Sequence, residues 1–149
     1  MGELSAPRSR YVGSVSPKSI PRVRLTSVPD EAVFVVRGDE LDPEVIIDDA
    51  SLFHERFAAW DRFGISAFYA ATDDEVDALC HARLVRFETV VVFKRRDLEA
   101  VGVEIVATFR TPHVTLCHAS LEEFVARLLR CEHQVRTNPY HVSEQGGTR

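Results

Sequence analysis

The sequence predicts an α/β protein of the α+β kind, in which about four helices pack on one mixed β-sheet of about five strands. Valine-rich runs of strand length occur at residues 32–36 and 88–93, and such runs favour buried strands. Ser/Thr-x-x-Glu capping boxes begin at Thr72 and Ser120 and indicate helix starts. Because strand and helix segments alternate along the chain, helices packed on a single sheet are expected.

The start of the chain differs in composition from the rest. Residues 1–28 are rich in Ser and Pro and contain five basic residues and one acidic residue. We therefore expect a flexible basic tail at 1–28, a single globular domain at 29–137 and a short flexible tail at 138–149. Clustered basic residues also suit contact with RNA, DNA or an acidic partner, although a poorly ordered start is the simpler interpretation.

The first strand is expected at residues 32–36, and residues 42–44 carry the signals of a helix start. These signals are an Asp N-cap, a first-turn Pro and an acid at the positive helix end. Apolar residues then recur at helical spacing, which predicts one helix from about 43 to 63 that ends at Gly64. The residues of this apolar stripe are Ile46, Ala50, Phe53, Phe57 and Trp60.

A second strand is expected at 65–71, followed by a helix that begins at the Thr72 capping box. The valine-rich strand at 88–93 precedes a short helix predicted over 95–101, which Gly102 ends.

The next two strands are expected at 103–109 and 113–117. The turn between them is short and contains Pro112, so they are predicted to form an antiparallel hairpin. The Ser120 capping box opens the last helix. The predicted order is therefore β-α-β-α-β-α-β-β-α, in a mixed sheet.

Composition restricts the classes of function. The 149-residue chain has a formal net charge of −5, which does not favour binding of polyanions by the folded part. The chain has sixteen Arg, two Lys and one Asn, a bias typical of a high-GC bacterial genome and therefore no sign of phosphate recognition. No apolar run reaches the roughly 18 residues that a membrane span needs. We expect a cytoplasmic protein with no membrane partner.

The first candidate site lies in the turn of the predicted hairpin. Residues 108–113 bring two Thr hydroxyls, the Arg110 guanidinium and the His113 imidazole together within six positions. Arginine supplies planar donors to phosphate or carboxylate, and histidine titrates near neutrality, so this group suits anion binding and proton transfer. The alternative is an ordinary hairpin turn, in which Thr, Arg and Pro are common.

Arg37 is the second candidate because it follows the first strand and precedes Gly38. The carboxyl ends of strands are where ligand crevices open in parallel sheets, so Arg37 is suited to holding a phosphate. A structural ion pair with Asp39, Glu40 or Asp42 is the simpler interpretation.

The cysteines predict neither disulfides nor a metal site. Cys80, Cys117 and Cys131 are an odd number, far apart in the sequence, so reduced thiols are expected. Each lies close to a His in the sequence, but Cys117 and His118 fall on opposite faces of a strand. We expect the thiols to pack as small apolar groups, with no metal and no cofactor.

Arg37, Ser66 and Tyr69 lie on neighbouring predicted strands and together resemble an arrangement in ADP-ribosyltransferase domains. In those domains an Arg or His and a Ser or Tyr help to hold nicotinamide dinucleotide. The catalytic Glu of those enzymes has no counterpart here, because Glu122 and Glu123 lie at a predicted helix start.

Several short segments are notable together: residues 36–41, 63–66, 108–115, 131–133 and 138–141. Over about residues 31–142 they resemble a group of small bacterial proteins from high-GC genomes. The resemblance implies the limits of a common domain without the basic tail, and it implies no activity, ligand or catalytic residue.

Two functional hypotheses remain open at this point. In the first, the chain is a small bacterial effector of toxin/antitoxin type that acts on a nucleotide or RNA. Arg37 and Arg110 would hold phosphate, and His113 would be the general acid or base. In the second, the chain is a non-catalytic module that binds a cognate partner protein or forms a homodimer, through its sheet or its long aromatic helix.

Overall fold

Within residues 28–142, five of the six strands and all four helices begin within two residues of where the sequence predicts them. A computed structural model describes residues 28–142 of the chain. The strands are β1 (Phe34–Gly38), β2 (Phe63–Ala70), β3 (Thr89–Lys94), β4 (Glu104–Ala107), β5 (His113–His118) and β6 (His133–Thr137). The helices are α1 (Pro43–Arg56), α2 (Asp73–Ala82), α3 (Arg95–Ala100) and α4 (Leu121–Arg130), with a 3-10 turn at Ala58–Trp60.

The predicted helix caps are present. The Thr72 hydroxyl accepts a hydrogen bond from the backbone N–H of Glu75 at 3.1 Å, and the Glu75 carboxylate accepts one from the N–H of Ala71 at 2.8 Å. At the start of α4, the Ser120 hydroxyl accepts from the N–H of Glu123 at 3.2 Å. These contacts satisfy N–H groups that the first helical turn leaves without partners, and so fix where α2 and α4 begin.

Helix α1 is shorter than the predicted helix over 43–63. Phe57 leaves the helical region with φ −121° and ψ 50°, and Asp61 adopts the left-handed conformation with φ 57°. The chain therefore turns before Gly64, which lies inside β2. A Cβ atom at Gly64 would lie 2.7 Å from the Thr115 methyl group, so glycine here permits close approach of β5 instead of ending a helix.

The sheet has the strand order β4-β5-β2-β1-β3-β6, and every pair of neighbours is antiparallel. The α+β class and the β4–β5 hairpin are confirmed, whereas the expected mixed sheet is wrong in its strand directions. Strand direction depends on the end of the sheet at which each helix returns the chain. Local hydrophobic patterns do not specify that end.

Helices cover both faces of the sheet. Helices α1, α3 and α4 pack on one face around Phe93, Leu116 and Phe124, each 0 % exposed. Helix α2 packs on the other face, over the β1–β3 half of the sheet, around Val36 and Val90. Strand β2 contributes Ala70 and Phe68 to this smaller core, while β5 and β4 contribute none of its residues.

The sixth strand, which the sequence did not predict, pairs with β3 and leads to a buried polar residue. Asn138 is 3 % exposed, and its amide nitrogen donates to the carbonyls of Cys80, Leu84 and Phe87 at 3.4, 2.9 and 3.2 Å. Its side-chain oxygen accepts from the N–H of Tyr140 at 2.9 Å. Asn138 thus holds the α2–β3 loop against the end of β6.

The structure also bears on the expected absence of a membrane span and on the predicted basic tail. No helix within residues 28–142 is long and apolar enough to cross a membrane. The basic segment at 1–28 lies outside the described residues except for Val28, which is buried in the core.

Replacing Asn138 is expected to destabilise the fold. Asn138→Ala removes the side-chain donor of three carbonyls, of which that of Leu84 still accepts from the N–H of Phe87, and the acceptor of the Tyr140 N–H, which costs about 1–3 kcal/mol of unfolding free energy. Chemical denaturation followed by circular dichroism measures this loss. Thr137→Ala, at an exposed position of β6, is the matched control and should stay within about 0.5 kcal/mol. Equal stability of the two variants would contradict the role given to Asn138.

Candidate functional site

Strands β1 and β2 separate partway along their length. They pair only from Phe34–Val36 to Phe68–Ala70. Beyond Val36, β1 continues beside β3 to Gly38, while the earlier part of β2 pairs with β5 alone. A gap therefore opens between Arg37 on one strand and Ser66 on the other.

The Arg37 side chain bridges this gap. One terminal nitrogen donates to the carbonyl of Ser66 at 3.2 Å, and the other pairs with the Asp49 carboxylate of α1 at 2.8 Å. The side chain is only 11 % exposed, and its Nε is buried without a partner among the described residues. The ion pair predicted with Asp39, Glu40 or Asp42 instead forms with Asp49.

A cavity of about 610 Å³ opens at this gap, within the size range of small-molecule sites. Its walls come from the end of β1, the outer turns of α1, the middle of β2, the α2–β3 loop and the start of β5. We call this cavity the cleft. Its charged and titratable lining residues are Arg37, Asp39, Asp49, Arg56, Arg83, Arg86 and His113, and its aromatic ones are Phe53, Phe57, Phe68 and Phe87.

The cleft is basic although the domain around it is acidic. Residues 28–142 contain twelve Lys and Arg against twenty-one Asp and Glu, a formal charge of −9. Four of those twelve cations line the cleft, with two carboxylates. A concave surface with an excess of one charge focuses the local field and attracts ligands of opposite charge. The cleft is therefore suited to anions.

Two of these arginines lie on aromatic rings. The Arg83 guanidinium is 5.6 Å from the centroid of Phe68, and that of Arg86 is 5.0 Å from the centroid of Phe87. Within residues 28–142, neither side chain makes a hydrogen bond or an ion pair. Stacking on a ring orients a guanidinium while its N–H donors remain available to a ligand.

The His113 ring lies edge-on to Phe68, the ring that Arg83 covers, at a centroid distance of 5.4 Å. Its Nδ1 is 2.9 Å from the Thr108 hydroxyl, which is in turn 2.8 Å from the Thr115 hydroxyl. Burial lowers the pKa of His113 below 6.5, a hydrogen bond with the Thr108 backbone opposes this shift, and the charge of Arg83 adds to it. The imidazole is therefore neutral at pH 7. Its Nε2 has no partner among the described residues, and in the tautomer whose Nδ1–H donates to the Thr108 hydroxyl this nitrogen can accept a proton.

The structure brings together two of the three site residues predicted from sequence. Arg37 and His113 both line the cleft, whereas Arg110 does not. Arg110 is exposed in the β4–β5 turn, where its carbonyl accepts from the N–H of His113 at 2.8 Å. The residues of the ADP-ribosyltransferase-like arrangement also separate, because Ser66 lines the cleft while Tyr69 does not and packs against the larger core.

Sequence reasoning missed Arg56, Arg83 and Arg86. The last two stand three residues apart after the apolar stripe of α2, and Arg86 precedes an aromatic residue. That local pattern also fits an exposed loop. The sequence does not show that the α2–β3 loop lies near the end of α1, because that proximity depends on the antiparallel strand order.

The cysteines contribute nothing to the cleft. All three are buried free thiols. Burial raises the pKa of Cys117 to about 12 and that of Cys131 to about 11, so neither is a thiolate near neutral pH. No cluster of three or more His, Cys, Asp or Glu residues suited to a metal ion occurs in the described part of the chain.

The pKa of His113 should respond to Arg83. Arg83→Ala removes a nearby positive charge that disfavours the imidazolium, so the pKa of His113 should rise toward its ordinary value. An NMR titration of the imidazole signals measures this change. The control is Arg110→Ala, which removes a charge close in sequence but outside the cleft and should leave the titration unchanged. A shift in the control alone would contradict the geometry.

Comparison of the chain with protein-family models, curated proteins and solved structures finds no match. The resemblance to small bacterial proteins from high-GC genomes stays a prediction.

Proposed function

We propose that the cleft binds the phosphate of a nucleotide or RNA, and that the chain is a small bacterial effector acting on that ligand in the cytoplasm. One observation carries the proposal: the cleft combines four arginines with four aromatic rings, and three of the arginines (Arg56, Arg83 and Arg86) make no hydrogen bond or ion pair among the described residues. Guanidinium groups match phosphate oxygens, and aromatic rings match nucleobases.

The two carboxylates of the cleft favour a nucleotide over a simple inorganic anion. Asp49 is 49 % exposed even while paired with Arg37, and Asp39 is also exposed. Carboxylates repel phosphate, but they accept hydrogen bonds from ribose hydroxyls and from base amino groups. A ligand that carries both phosphate and hydroxyl donors therefore fits this lining better than phosphate alone.

His113 supplies the proton-transfer chemistry of the proposal. A neutral imidazole with a free Nε2 can take the proton of a hydroxyl nucleophile, either water or ribose, as that oxygen bonds to phosphorus. The P–O bond to the leaving oxygen of the nucleotide or RNA then breaks, and that oxygen takes up a proton from the imidazolium or from water. Arginines beside the phosphate would stabilise the negative charge that develops on its oxygens. Arg83 has two roles in this scheme: it stabilises charge on the phosphate, and its own charge helps to keep the pKa of His113 low.

Arg83 and Arg86 are expected to determine affinity. Replacing both by Ala should weaken the binding of a short single-stranded RNA at least about 100-fold, because two charge-assisted contacts are lost and each contributes about 1.5–3 kcal/mol. The salt dependence of binding should also become shallower. Fluorescence anisotropy with a labelled oligoribonucleotide measures both effects.

The matched control for this binding experiment is Arg130→Ala. It removes an exposed arginine of α4 that does not line the cleft, so affinity should stay near that of the wild type. Equal losses in the control and in the double variant would indicate nonspecific charge attraction and would contradict a site in the cleft.

The effector hypothesis has its own test. Inducible expression of the wild type should arrest growth of a bacterial host, and His113→Ala, expressed at the same level, should not. Arg110→Ala should remain toxic, since Arg110 lies outside the cleft. Harmless expression of the wild type would contradict the effector and leave the non-catalytic interaction module or homodimer as the remaining prediction.

A further inference from the structure

Phe109, in the turn between β4 and β5, has a backbone conformation that its side chain does not favour. Its φ is +59°, in the left-handed region, and its side chain is 43 % exposed. For a bulky residue this conformation is a clear outlier, whereas Gly, Asn and Asp adopt it readily. The turn backbone itself therefore gives no reason for a phenylalanine here.

Packing does not fully explain the choice of phenylalanine either, because much of the Phe109 ring stays in contact with water. What the ring does contact belongs to the cleft. Its centroid lies 5.0 Å from that of His113, in an edge-on arrangement, and 6.1 Å from that of Phe57 on α1. Both of these residues line the cleft, on opposite walls. Phe109 thus extends from the hairpin toward α1 at the margin of the cleft.

We propose that the exposed face of Phe109 stacks on the nucleobase of the bound ligand, so that the ligand class is a nucleotide or an RNA end and not a sugar phosphate. This inference rests on the proposed phosphate site. Strained residues persist where surrounding structure holds them, and they concentrate at ligand-binding sites. An exposed aromatic ring beside a cationic cleft is the arrangement by which proteins hold unpaired bases.

The distances are consistent with a shared role for the cleft and the ring. The His113 ring contacts both Phe109 and Phe68, with centroid distances of 5.0 and 5.4 Å. Arg83 lies over the Phe68 ring. A base stacked on Phe109 would therefore place its ribose near His113 and its phosphate toward Arg83.

The test compares ligands with and without a base, using isothermal titration calorimetry on the full chain. The probes are the four ribonucleoside 5′-monophosphates, ribose 5-phosphate and inorganic phosphate. In the wild type, at least one nucleotide should bind about 5- to 150-fold more tightly than ribose 5-phosphate, the range expected for one base–aromatic stack. In Phe109→Gly this preference should disappear, while ribose 5-phosphate affinity stays unchanged.

Two further measurements separate stacking from a structural role. Phe109→Gly should unfold at the same or a higher temperature than the wild type, because glycine adopts φ +59° without strain. Phe109→Trp should restore the preference for the nucleotide. A loss of both ligand affinities together with a lower unfolding temperature would instead show that Phe109 acts through the fold, and would overturn the proposal.

The remaining outcomes distinguish this inference from the proposed function. If nucleotides, ribose 5-phosphate and inorganic phosphate bind the wild type equally, the phosphate site stands and base stacking fails. The same conclusion follows if Phe109→Gly keeps the nucleotide preference. If none of the probes binds the wild type, the phosphate site itself is wrong, and the role given to Phe109 is wrong with it.

Discussion

Arg37 bridges the place where the sheet divides, and the shape of the cleft depends on this contact. Beyond Val36 no backbone hydrogen bonds join β1 to β2, so the carbonyl of Ser66 would lack a protein donor. Arg37 supplies one and is itself held by Asp49 of α1. A buried guanidinium needs hydrogen-bond partners. Arg37 finds one on β2, across the strand gap, and one on α1, so this single side chain ties the position of α1 to the gap and places a positive charge in the cleft.

The cleft beside Arg37 collects positive charge in a domain that is otherwise acidic. Helix α1 contributes Asp49 and Arg56 to the cleft, while the α2–β3 loop contributes Arg83 and Arg86. That loop is held by Asn138 through three carbonyls. A residue at the far end of the chain thus positions two arginines that sequence analysis did not select. Loops positioned by a rigid scaffold commonly carry binding residues in this way.

Much of the fold follows from local patterns, and the site follows from them only in part. The capping boxes at Thr72 and Ser120 locate two helix starts because the relevant hydrogen bonds span three or four residues. The hairpin was predictable for a similar reason. Strand direction and the β1–β2 gap involve residues about thirty positions apart, which no local period encodes. Arg37 and His113 both line the cleft, whereas Arg110, which was expected in the same crevice and lies three residues before His113, is outside it.

The most direct test of the account is a two-dimensional NMR titration of the isotope-labelled chain with a ribonucleoside 5′-monophosphate, with backbone amides as reporters. If the divided sheet forms an anion site, saturable shifts should cluster at Arg37, Ser66, Arg83, Arg86 and His113, on elements far apart in sequence. Shifts confined to the surface groove around Lys94 and Arg96, or no saturable shifts at all, would contradict it.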